Sequence, residues 1–216
     1  MRIIDISKPL RCGEEIACEI PADRPVYEGF PCEEYRFEFR SHLGCYFETD
    51  AHLFRGGTLT CDVPIEKLFL PALVARLDAA RGGVIEPDEI TAALREEMRP
   101  GDALIADTQG RQDRWFSRSA GVWMVERKIA LLGATLPKYD TGFENPTGVF
   151  VELFRAHIPI LAGIENVHQI AHQRVFLIVM PMKIEGVCTA PCRAVVFESE
   201  TEEIEALALA LRGSAA

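Results

Sequence analysis

Hydrophobic and polar residues alternate most regularly between Tyr35 and Glu48. Tyr35, Phe37, Phe39, Leu43, Cys45 and Phe47 hold odd positions, while Glu34, Arg36, Glu38, Arg40, His42, Tyr46 and Glu48 hold even ones. A period of two marks a strand with one buried face, so the stretch reads as a long strand with His42, Tyr46 and Glu48 on its polar side. A straight strand rises about 3.3 Å per residue and would hold His42 and Glu48 about 20 Å apart. The chain must therefore bend between them if they are to act together. Gly44 is the candidate for that bend, because glycine inside a strand marks a bulge or a close backbone approach. Beyond the turn-like Thr49-Asp50-Ala51, His52 then joins His42, Tyr46 and Glu48.

The rest of the pattern places strands at both ends, with strands and helices alternating between them. Arg2 to Ser7 and Glu15 to Ile20 read as strands. Ile65 to Arg81 reads as partly helical, with Pro71 setting a strand or kink. Pro87 and Asp88 suit the opening of a helix over Ile90 to Met98. Ala103 to Ala106 reads as a buried strand, Ser117 to Arg127 as a helix, and Ile129 to Leu132 and Ile158 to Leu161 as strands. Glu165 to Ala171 follows as a short helix, then Arg174 to Met180 and Arg193 to Phe197 as strands. Ser199-Glu200-Thr201-Glu202 fits a capping box before a last helix over Ile204 to Leu211, with Gly213 as its stop. No Ser/Gly/Pro-rich linker divides the chain. The expectation is one domain over 1–216, an α/β (α+β) fold with a mixed sheet and covering helices.

With 216 residues, 48% of them hydrophobic, there is enough apolar material for a full core. The 23 basic residues against 33 acidic leave a net charge of −10, and no basic run stands out. Nucleic acid and anionic membranes are thereby excluded as partners, and a small-molecule substrate is expected. Apolar runs such as Val175 to Met182 fall far short of the ~20 residues that a membrane span needs. The N-terminus turns polar at once, so no signal peptide is expected and the setting reads as cytoplasmic. The seven cysteines are odd in number and lack C-x-x-C spacing. They read as reduced thiols, Cys188 and Cys192 being able to bridge only in an oxidising compartment.

The chemistry of His42, Tyr46, Glu48 and His52 is coherent. Histidine passes protons near neutral pH, a carboxylate orients it, and a phenol donates to a developing oxyanion. The plain alternative is a solvated strand face. The five histidines, His42, His52, His157, His168 and His172, leave 53–156 bare, so a His-rich metal site would have to come from this stretch and the C-terminal third. Tyr27, Phe30, Trp115 and Trp123 are candidates to line a pocket, though Trp123 reads as core.

The segment His42-Leu-Gly44-Cys-Tyr46-Phe-Glu48-Thr-Asp50-Ala-His52 resembles, without gaps, the H-x-G-T-H-x-D-x-P-x-H signature of the cyclase family that includes bacterial kynurenine formamidase and isatin hydrolase. Asp5-Ile-Ser7-Lys-Pro9-Leu10 with Gly13, Gly101-Asp102-Ala-Leu-Ile105, Ile158-Pro-Ile-Leu161-Ala-Gly163-Ile-Glu-Asn166, and Pro181-Met-Lys183-Ile-Glu-Gly186 through Pro191-Cys-Arg193-Ala194 resemble further family motifs in order. The resemblance implies a swivelling β/β/α domain and a homodimer or homotetramer. In metal-dependent members, it implies zinc or manganese held by the first two histidines and the aspartate, with the last histidine as acid/base and a later histidine and glutamate completing the centre.

This chain departs from that pattern. It keeps His42 and, at the acid/base position, His52. Tyr46 replaces the second ligand histidine, Glu48 the aspartate and Ala162 the glutamate, and 143–156 contain no histidine. Only His42 and Glu48 remain in register, against the three protein ligands of a catalytic zinc site. No cofactor is therefore expected, zinc or manganese on His42 and Glu48 being the alternative. Glu165 as a replacement for the missing glutamate and the His168 and His172 pair at helical spacing read as surface positions, and Cys45 reads as packing rather than as a nucleophile. The expected function is a small-molecule cyclase or hydrolase acting on a carbonyl compound by metal-independent acid/base catalysis through His52, Glu48, Tyr46 and His42. The alternatives are an arylformamidase-type hydrolase with a rearranged metal site, and a non-catalytic binding protein.

Overall fold

The computed structural model describes residues 1–213. The chain runs through β1 (Arg2–Asp5), β2 (Ala17–Glu19), β3 (Val26–Tyr27), β4 (Phe30–Pro31), β5 (Arg36–Glu38), β6 (Tyr46–Glu48), β7 (Phe69–Arg76) and β8 (Gly83–Ile85). It continues through α1 (Pro87–Ala93), β9 (Ala103–Asp107), β10 (Arg114–Phe116), α2 (Arg118–Glu126), β11 (Leu131–Ala134), α3 (Val149–Arg155), β12 (Ile160–Ala162), β13 (Arg174–Pro181), β14 (Thr189–Glu198) and α4 (Thr201–Gly213). The predicted stop of the last helix at Gly213 depends on 214–216, which lie outside the described residues.

The main sheet has the order β1-β14-β13-β7-β9-β11-β12-β6, and β6 pairs again with β14. Seven strands thus close on themselves as a barrel, with β1 attached outside the ring. The mixed α/β fold expected from the sequence is what forms. Strands β7, β9, β11 and β12 run parallel, so their C-terminal ends gather at one end of the barrel.

Strand parity divides the core. Phe47, Ala72, Val74, Ile105, Leu161 and Val175 fill one apolar cluster inside the barrel. Their neighbours Leu104, Ala106, Leu132 and Ile160 belong to a second, with Ile90 of α1, Met124 of α2 and Phe154 of α3. Helix α4 covers β7 and β13, setting Ile204 and Ala208 on Phe176. Each such side chain taken fully from water contributes about 1.5–3 kcal/mol before the entropy cost. Strands covered on both faces read as continuous apolar runs. That is why Ile65 to Arg81, expected to be partly helical with a strand or kink at Pro71, holds only a 3-10 turn over Ile65–Leu68 and forms the strand β7 (Phe69–Arg76) around Pro71. Pro71 fits there because β9 pairs only from Ala72 onward.

Other elements also differ from expectation. Helix α1 stops at Ala93 rather than Met98 because Gln173 takes over its end. The Gln173 amide donates to the Ala93 carbonyl at 2.9 Å, and its oxygen accepts from the Arg95 and Glu96 N–H groups. Helix α3, which starts at a left-handed Gly148, was not anticipated. The short helix expected over Glu165 to Ala171 is only a 3-10 turn, Val167–Gln169.

The long strand expected from Tyr35 is broken. Its first part forms β5, which pairs only with β2, while β3 pairs with β4. Tyr35, Phe37 and Phe39 on that projecting arm are exposed, as are Tyr27 and Phe30. The predicted buried parity holds only at Cys45 and Phe47, where the ring supplies partners on both sides. The reading of all cysteines as reduced also needs correction. Cys12 and Cys18 are joined in a disulfide with Cα atoms 5.5 Å apart, while Cys32, Cys45, Cys61, Cys188 and Cys192 are free. Only five residues separate these two, a spacing that rules for zinc or redox motifs do not flag. Among the described residues, no helix is long and apolar enough to cross a membrane.

Candidate functional site

Strand β6 closes the ring with three residues. Tyr46 lies opposite Ala162 and Pro191, Phe47 opposite Leu161 and Ala190, and Glu48 opposite Ile160 and Thr189. Parity sends Phe47 into the barrel and turns Tyr46 and Glu48 to its outer face. The bend anticipated at Gly44 is present, with φ +62°. A side chain there would strike Leu10. Gly163, at φ +67°, presses its backbone on the Gly44 carbonyl, where any Cβ would overlap. Two bare backbones thus touch, and the tight reversal folds His42 back over Glu48. On the other side of β6 a 3-10 turn over Asp50–His52 returns His52 to the same carboxylate.

Glu48 is only 3% exposed, and its Oε1 is the hub. His42 Nε2 lies 2.7 Å from it, His52 Nδ1 lies 2.9 Å from it, and the Thr189 hydroxyl donates to it at 3.0 Å. His42 Nδ1 meets the Ser41 hydroxyl at 3.1 Å. Both nitrogens of His42 are thus engaged, whereas His52 Nε2 has no hydrogen-bond partner among the described residues. His52 Nδ1 meets Oε1 as a close ion-pair contact without hydrogen-bond alignment, and because a carboxylate only accepts, the contact favours the tautomer of His52 with its hydrogen on Nδ1. The His42 ring stands 5.2 Å from those of Tyr46 and His52, and Phe154 of α3 stacks edge-on against His52. Burial, with Glu48 and Cys45 nearby, pushes the Tyr46 phenol up to about 12. It is therefore a neutral O–H donor across the physiological range.

His42 and Tyr46 line a cavity of about 860 Å³. Its floor is the C-terminal ends of the parallel strands, at Arg76, Asp107, Thr135 and Gly163, which is where α/β sheets characteristically bind ligands. His52 does not line this cavity. Its ring adjoins that of His42, with 28% of its side chain exposed.

The structure brings His42, Tyr46, Glu48 and His52 together as the sequence suggested. Glu165 stays at the exposed cavity rim, and His168 lines the cavity. His172 instead faces Glu198, with Nδ1 to Oε1 3.3 Å, because Ile170 leaves the short turn in extended conformation. Cys45 is buried, its Sγ 3.5 Å from that of Cys192. The hydrogen bond with Cys45 and burial both push the Cys192 thiol up, so this is a packing pair. Sequence reasoning missed Thr189, which nothing local marks, and Asp50. Asp50 is buried, accepts from the Thr58 N–H at 3.0 Å, and lies 2.7 Å from His157 Nδ1.

The donor set also bears on a metal. One ligand atom each from His42, Glu48 and His52 lie within 4.8 Å of one another, and two imidazoles with a carboxylate are the protein ligand count of a catalytic zinc. The three residues therefore fit a divalent ion, but only by using His52. At the remaining family positions, the neutral Tyr46 phenol and the apolar Ala162 beside it supply no ligand.

A family model named Cyclase, described as "Putative cyclase", matches residues 4–141. No curated protein matches the chain. Solved structures do. Isatin hydrolase A from Labrenzia aggregata bound to benzyl benzoate aligns with a TM-score of 0.76 at 17% identity, over 92% of this chain and 94% of that one. A structure described as a "potential metal-dependent hydrolase with cyclase activity" gives a TM-score of 0.73 at 20% identity, over 92% and 98%. Isatin hydrolase A from Ralstonia solanacearum gives 0.73 at 16%, over 92% of each chain. At such identities the likeness is one of fold.

Proposed function

The chain belongs to the Cyclase family, and from that premise we propose that it is an enzyme acting on a small carbonyl compound by acid/base catalysis that needs no metal, in cyclisation, dehydration or lactone chemistry. The observation that carries this reading is the single oxygen of Glu48, which holds two imidazoles and a threonine hydroxyl at once. The arrangement orients His52 with its outer nitrogen free. In lactone opening, a substrate that enters from the cavity and reaches past the His42 ring, 5.2 Å from that of His52, gives the proton of its attacking water to His52 Nε2, and the Tyr46 O–H donates to the oxyanion that forms on the carbonyl. The imidazolium, stabilised by Glu48, then returns its proton to the leaving alkoxide. His42 presents its ring to the cavity and keeps Glu48 in place.

A panel of small lactones, N-formylanilines and isatin, assayed before and after exhaustive chelation with elemental analysis of the protein, tests this. Turnover that survives chelation is expected. Stoichiometric metal whose removal abolishes turnover overturns the reading.

The ligand-atom spacing favours a second reading, a metal-dependent hydrolase of arylformamidase type. Here His42, Glu48 and His52 would hold zinc or manganese, which when bound supplies Lewis-acid polarisation and an activated water. A third reading, a binding protein without catalysis, predicts that His52→Ala leaves ligand affinity intact and that no member of the panel turns over. The exposed aromatic arm suits a homodimer or homotetramer, which analytical ultracentrifugation measures.

A further inference from the structure

We propose that the barrel carries a second small-molecule site, at the end opposite His42, that takes a compact, neutral, largely apolar molecule bearing one hydroxyl, of the phenol class. There a cavity of about 510 Å³ opens at the N-terminal ends of the same parallel strands, at Phe69, Gly101, Ala130 and Pro159. Its size lies within the range of small-ligand pockets. Its wall is mainly apolar, with Val63, Leu70, Ile129 and Ile158 among the lining residues.

The specific polar feature is the pair of His157 and Asp50. Asp50 is 4% exposed and fixed through Oδ1 by the Thr58 N–H. Its Oδ2 lies 2.7 Å from His157 Nδ1. A carboxylate oxygen accepts, so the contact favours the tautomer of His157 with its hydrogen on Nδ1, which leaves Nε2 as an acceptor at the rim. An acceptor beside an apolar wall selects a hydroxyl on an apolar body. The charged residues of the lining are Asp50, Glu66 and Lys67, and the buried Asp50 is already engaged by the Thr58 N–H and His157, so no cluster of free like charges invites an ionic ligand. The cationic Lys8 and Arg76 belong to the other cavity. The site is independent of the catalytic reading, since neither His157 nor this cavity takes part in it.

Phenol is the probe, titrated into the full chain carrying ¹⁵N-labelled histidine and followed by NMR, with ring signals assigned by substitution. Saturable movement of the His157 ring signals is expected, with those of His42 and His52 unmoved. Anisole, which lacks the hydroxyl, and the His157→Gln variant should each weaken binding about fivefold, as the loss of one hydrogen bond predicts. His157 is exposed, so that variant is expected to fold, and circular dichroism confirms it. Phenol that moves only His42 and His52, anisole that binds as well as phenol, or no saturable change up to about 20 mM overturns the proposal. So does self-association that covers His157 without any probe, because the surface then belongs to a second copy of the chain.

Discussion

Glu48 and Asp50 stand two positions apart, both buried and both holding imidazoles, yet they serve opposite ends of the barrel. Glu48 sits within β6 and gathers partners from its own signature stretch, with Thr189 added from the neighbouring strand. Asp50 opens the turn after the strand and finds His157, 107 positions away, beyond the end of α3. His42 and His52 are 42% and 28% exposed in their side chains, His157 73%. A carboxylate enclosed by several donors acts as one unit with them. A carboxylate with a single exposed imidazole fixes only that ring.

The largest expected effect separates the two carboxylates. Glu48→Gln should lower turnover about 10²- to 10⁴-fold, the range for losing a positioned acid/base system, with circular dichroism unchanged. Asp50→Asn, which leaves the Thr58 and His157 contacts mismatched, should instead cost about 1–3 kcal/mol of stability in denaturant and leave turnover nearly unaltered. Equal losses of turnover in the two variants would erase the distinction. Thr189→Val should cost about 1 kcal/mol and a few-fold in turnover, since the two imidazoles remain on Oε1.

The smallest effect is spectroscopic. Burial disfavours the Tyr46 phenolate, so the folded protein holds that proton past the ordinary tyrosine value of about 10, up to about 12. The unfolded chain releases it near 10, so this residue's contribution to stability falls as pH rises from about 10 to 12. In an alkaline absorbance titration of the native protein, Tyr46→Phe should leave the phenolate signal below about pH 11 unchanged; a lost step near 10 would show an exposed phenol.

The Glu48 end was legible in the sequence because its chemistry lies within His42 to His52 and one glycine could supply the reversal. The parity rule failed upstream of it. Tyr35, Phe37 and Phe39 alternate as a buried strand would, but the ribbon they join has no second layer to cover it. The Asp50 end was not legible. His157 follows a helix of valines and phenylalanines, Val149–Arg155, whose residue types favour strand as much as helix. Only the packing of α3 against α2 and the barrel decides between them. Strand β7 went the other way for the same reason. Once partners stand on both sides, tertiary context outweighs local preference.

The three residues of β6 are paired along both edges, so the Glu48 carboxylate rides on the segment that shuts the ring. Enzymes commonly place such groups on segments that open locally at little cost. Here the amide protons of Phe47 and Glu48 should exchange with deuterium only when the whole barrel comes apart. Loss of activity in denaturant should then track global unfolding rather than precede it.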